Sequence, residues 1–165
     1  MKKSSTMFLQ AVIALIGIVA LAIMIRFPLT EGRAVNLDLF SIYSDPFIIY
    51  GYLSSIAFFV ALHQAFKLLG YIGQNKVFSL NSVKSLRTIK YCAIILGILI
   101  VMAALYITVM FHVKGGDPVD DDPAGFIAIA ILFTFISSVV ATVAAVFERT
   151  LQSAIDIKSE NDLTV

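Results

Sequence analysis

Four stretches of this chain, residues 7–25, 47–66, 91–113 and 125–147, contain no Asp, Glu, Lys or Arg. Each is about as long as the 20 or so apolar residues that a helix needs to cross a hydrocarbon layer about 30 Å thick. A single charged side chain at the centre of such a run costs roughly 2.5–3.5 kcal/mol. A chain crossing lipid must also satisfy its own backbone groups, which leaves the α-helix as the solution for separate runs of this length. The expected fold is therefore an all-α membrane protein, a four-transmembrane-helix bundle, with residues 1–165 forming one membrane domain. The composition agrees, with 59% hydrophobic and 14% charged residues, far from the roughly 45–50% and 25% of soluble domains.

The charged residues set the expected threading. Lys2, Lys3, Lys67, Lys76, Lys84, Arg87, Lys90, Arg149 and Lys158 fall on one side of the four spans. Only Arg26, Arg33 and Lys114 fall on the other, among Glu31, Asp38, Asp45, Asp117, Asp120, Asp121 and Asp122. The positive-inside rule then puts both termini, the loop 67–90 and the tail 148–165 in the cytoplasm. Lys2 and Lys3 before an apolar run with Ala20 and Ala22 also resemble a signal peptide. The run continues through Ile23, Met24 and Ile25, however, which favours a retained span.

The loops carry weaker signals. Alternation over 35–39 suggests a short strand or interfacial segment. Tyr43, Tyr50 and Tyr52 read as an aromatic belt for the second span. Gly70, Gly73 and Asn75 interrupt the chain after it. Ser79 or Asn81 is a suitable N-cap for a helix that leads without a break into the third span. Asp117 and Asp120–Asp122 gather four carboxylates, but their spacing does not match the EF-hand, and a solvated acidic turn explains them.

Chemistry inside the spans is sparse. His63 and His112 belong to opposite ends of adjacent antiparallel spans, about 25–30 Å apart, so they make no shared metal or haem site. Cys92 is the one cysteine, and a Cys–His pair with His63 falls short of a zinc site. No phosphate loop, H-E-x-x-H or G-x-S-x-G is present, so we expect no enzyme, no catalytic residue, no metal and no cofactor. The near-neutral net charge of +1 gives no case for direct nucleic acid binding. Thr134, Ser137, Ser138, Ala141 and Thr142 form a small-residue face expected to pack closely against another helix, within the chain or in a homo-oligomer.

The cytoplasmic segments hold more organisation. Phe147, Leu151, Ala154 and Ile155 make one helical stripe, so the fourth helix is expected to project about three turns past the membrane. Phe78, Asn81, Lys84, Leu86, Arg87 and Lys90, together with Leu151, Ile155, Asp162 and Leu163, are the candidate partner-binding residues. The acids of this tail, Glu148 and Asp156 with Glu160 and Asp162, are expected to meet the basic Lys84, Arg87 and Lys90.

Two stretches carry a family resemblance: Phe78-Ser79-x-Asn81-x-Val83-x-x-Leu86-Arg87-x-Ile89, and the closing Glu160-Asn161-Asp162-Leu163-Thr164-Val165. With four spans they resemble a bacterial family of uncharacterised membrane proteins, a domain of unknown function. The resemblance implies no activity. It does imply a pairing, because such proteins are frequently encoded beside a small helix-turn-helix regulator of the Cro/repressor type. The expected function is a sensor or sequestering partner of a cytosolic transcription regulator. The alternatives are an immunity or stress-resistance protein against a membrane-active toxin or peptide, and a small oligomeric exporter.

Overall fold

The computed structural model describes residues 3–30, 42–113 and 123–162. Among them it contains no strand and four α-helices: α1 (Lys3–Thr30), α2 (Pro46–Gly73), α3 (Leu80–Val113) and α4 (Ala124–Asp162). All four are long and apolar enough to cross a membrane. The 35–39 alternation, the acidic cluster at 117–122 and Leu163 lie outside the described residues.

Each helix runs antiparallel to its predecessor and packs on it, least extensively in the α1/α2 pair and most in the α3/α4 pair. The start of α1, the end of α2, the start of α3 and the end of α4 therefore share one end. It carries Lys67, Lys76, Lys84, Arg87, Lys90, Arg149 and Lys158, and is called the basic end below. Large apolar side chains such as Leu15, Leu105, Ile131 and Phe135 are 60% exposed or more. In water that would be untenable, whereas lipid tails receive them without cost.

The connection from α2 to α3 is built from specific caps. Gly70 and Gly73 do not interrupt α2 as expected, because both lie within it. Their missing side chains instead let α1 approach. A Cβ on Gly73 would sit 3.1 Å from the Thr6 Cγ2 atom, and one on Gly70 would sit 3.5 Å from Gln10 Nε2. The stop falls at Asn75, whose φ of 58° is left-handed. The Lys76 N–H donates to the Tyr71 carbonyl at 2.8 Å and the Asn75 N–H to that of Ile72 at 3.1 Å. That is the Schellman pattern, with Asn in the position usually taken by glycine. Ser79, not Asn81, then starts α3. Its Oγ accepts from the Ser82 N–H at 3.3 Å and its carbonyl from the Val83 N–H at 3.2 Å.

The helices extend beyond what a bilayer requires. At 1.5 Å per residue, the 34 residues of α3 and the 39 of α4 span about 51 and 58 Å, against about 30 Å of hydrocarbon. The apolar runs begin at 91 and end at 147, so the surplus of both helices falls at the basic end.

Candidate functional site

Burial concentrates where the two long helices emerge. Ser82, Val83, Ser85, Leu86, Cys92 and Ala93 are buried on α3, and Ala144 and Glu148 on α4. Such a stripe of small and mid-sized residues brings the helix axes close. Ser85 Oγ donates to Gln64 Oε1 at 3.1 Å, joining α3 to α2. Ser82 is fully buried, and its Oγ donates to the Lys76 carbonyl at 3.2 Å, which holds the loop against the helix start.

Glu148 is the centre of the cluster. It is 7% exposed, yet it carries a carboxylate that burial alone would disfavour. Two cations from α3 compensate it. Arg87 Nε donates to Oε1 at 2.7 Å and Lys90 Nζ to Oε2 at 2.6 Å. The cations lie three residues apart on a helix, hence on neighbouring positions of one face. Lys90 also lies 4.8 Å from the centroid of the Tyr91 ring. The charged groups thus fasten the last turns of α4 to the first turns of α3.

This arrangement narrows the expected pairing: of the acids on α4, Glu148 meets Arg87 and Lys90. The cause is register. Gly97 of α3 faces Ser137 of α4 at 3.6 Å from its would-be Cβ, and ten residues back Arg87 meets Glu148. Antiparallel helices advance by the same rise, so Ala154 and Ile155 lie level with Leu80, and residues 156–162 run past the start of α3 by about 10 Å. On that overhang Asp156 accepts from Gln152 Nε2 at 2.9 Å, one turn away on its own helix.

The other candidate residues divide by exposure. Phe78, Asn81, Lys84 and Arg87 are exposed, with Phe78 at 65%. Leu151 and Ile155 are half-buried. Leu86 is buried and therefore structural, a correction to its place among partner-binding residues. On the small-residue face, Thr134, Ser137 and Ala141 are half-buried beside α3, whereas Ser138 and Thr142 are exposed at the edge of the seam. Both hydroxyls donate to carbonyls one turn back in α4, at 2.9 and 2.8 Å, rather than across helices. A run with a small residue at nearly every turn cannot show which of them face the neighbour, because 134, 138 and 142 repeat every four residues and drift around a helix of 3.6 per turn. Among the described residues, no three of His, Cys, Asp and Glu come together as a metal site would require.

The tyrosines also do more than line an interface. Tyr52 OH donates to the Met24 carbonyl at 2.9 Å, Tyr43 OH to that of Ile25 at 3.3 Å, and Tyr50 OH to that of Leu99 at 2.7 Å. They tie α2 and the segment before it to α1 and α3.

Two comparisons bear on the chain as a whole. The model of the family described as "Protein of unknown function (DUF2975)" matches residues 12–165. The chain is also similar to the "Uncharacterized membrane protein YoaS" of Bacillus subtilis (strain 168), with 41% identity over 168 residues and the full length of both proteins covered. No solved structure matches it.

Proposed function

The chain belongs to the DUF2975 family of proteins of unknown function, and from that premise we propose that it is a bacterial plasma-membrane protein that holds a cytosolic helix-turn-helix regulator at its basic end. In this reading both termini are cytoplasmic, following the basic residues. The protein acts by binding, not by catalysis, and sequestration keeps the regulator from its operator.

The Arg87–Glu148–Lys90 clamp carries this reading. It joins two helical extensions into one surface just outside the membrane, where a soluble protein can reach. Lys84 stands exposed three residues before Arg87, Phe78 is exposed just before α3 begins, and residues 156–162 extend past the start of α3. An exposed aromatic at a cationic end suits a docking site, since such anchors dominate binding energy at interfaces.

Three experiments test it. A reporter active only in the cytoplasm, fused after Val165, should give signal; activity only from an externally active reporter overturns the orientation. Detergent-solubilised protein should retain the regulator encoded beside it, and Phe78→Ala with Lys84→Ala should lose it while inserting normally. If deleting the gene leaves transcription of the neighbouring operon unchanged, the regulatory reading fails.

A further inference from the structure

The α3/α4 seam is closed on the axis but open on one side. There an unfilled groove of about 370 Å³ runs over Gly97, Ser138 and Ala141, between walls that include Ile94 and Met102. A second hollow of about 530 Å³ shares Ile94, Ser138 and Ala141 with it and reaches Lys90 and Arg149. The two make one trough, apolar along its length and cationic at its basic end.

Its dimensions match one leaflet. From Lys90 to Met102 is twelve helical steps, about 18 Å, and half of a hydrocarbon core about 30 Å thick is about 15 Å. The trough therefore begins at the charged boundary and ends near the bilayer centre. Its charge is also one-signed. Glu148 answers Arg87 and Lys90, while Arg149 is exposed and has no ion pair among the described residues. Lys90 and Arg149 are the charged residues that line the mouth, and with Glu148 and Arg87 behind Lys90 the group keeps a net positive charge. We propose that this trough binds an anionic phospholipid, with an acyl chain along Gly97, Ser138 and Ala141 and the phosphate at Arg149 and Lys90.

A second copy of the chain is the competing occupant, and charge disfavours it. All copies insert the same way, so a neighbour seated in the trough brings its own basic end level with Arg149. Like charges there repel, whereas an anionic headgroup is attracted.

Native mass spectrometry of the full chain, purified in detergent and titrated with phosphatidylglycerol or phosphatidylcholine, tests the proposal. The chain should retain one phosphatidylglycerol in preference to phosphatidylcholine. Arg149→Gln should lower that retention about fivefold, the effect of one basic residue at a membrane surface. Ser138→Leu should fill the trough and abolish retention with the helical circular dichroism unchanged. Thr142→Leu, nearer the mouth, serves the same purpose if Ser138→Leu does not fold. Equal retention of both lipids, or retention unchanged by these variants, overturns the proposal. So does a disulfide-linked dimer formed in vesicles by Ser138→Cys, since it places a second copy in the trough.

Discussion

The seam between α3 and α4 and the seam between α1 and α2 solve the same problem with different materials. At the basic end, α3 and α4 are joined by a carboxylate held between two cations. At the opposite end, α2 is joined to α1 by the neutral hydroxyl of Tyr52, with Tyr43 beside it at 6.2 Å between ring centroids. Ions need water or close partners, and α3 and α4 extend far enough past the hydrocarbon to use both. A phenol can donate to a helix carbonyl without carrying charge into a less polar setting. The difference teaches that charge fastens the helices at the basic end, where Arg87 and Lys90 lie, and a neutral hydroxyl fastens them at the other.

Three substitutions break or sharpen this contrast. The largest effect is expected in the centre of the α3/α4 seam. Ser137→Leu adds three carbons on the side facing Gly97, where even a single added Cβ on the glycine would already stand 3.6 Å from the Ser137 Cβ, and overpacking of this kind costs about 1–3 kcal/mol. Ser138→Leu, one residue on and exposed, should stay near wild type. Thermal melting in detergent separates them, and equal losses would mean that the seam does not face Ser137.

Next comes the clamp. Glu148→Ala leaves Arg87 and Lys90 beside each other without their anion. A deeply buried pair loses about 3–5 kcal/mol when one partner is removed. Because Arg87 is half-exposed, about 1–2 kcal/mol is expected, and reversing Glu148 and Arg87 together should recover part of it. No recovery in the double variant would show that Glu148 acts through packing alone.

The smallest effect belongs to the α1/α2 seam. Tyr52→Phe removes one interhelical hydrogen bond, worth about 0.6 kcal/mol in membrane proteins. A loss larger than that of Glu148→Ala would reverse the comparison and make the hydroxyl the principal fastener.

The helices themselves were legible because hydropathy over some 20 residues leaves few alternatives, and the Ser79 start of α3 because a serine before an amphipathic run is a specific capping signal. The choice of Glu148 was not. It stands as one of the acids of the tail, and only the register of α3 against α4 reveals the two cations opposite it. The same gap explains Leu86, where periodicity identifies an apolar face without saying what covers it. Gly70 and Gly73 misled for a related reason: a glycine that ends a helix and one that admits a neighbour look alike until Thr6 and Gln10 are placed beside them. The tyrosines share this ambiguity, since a belt residue and an interhelical donor occupy the same depth.

The unbroken course of α4 has a mechanical consequence. From Phe126 to Asp162 it contains no proline and no glycine, so nothing along it forms a ready hinge. The helix is therefore one stiff rod from its apolar stretch to residues 156–162, and any tilt imposed on the apolar stretch is carried whole to the segment that runs past the start of α3.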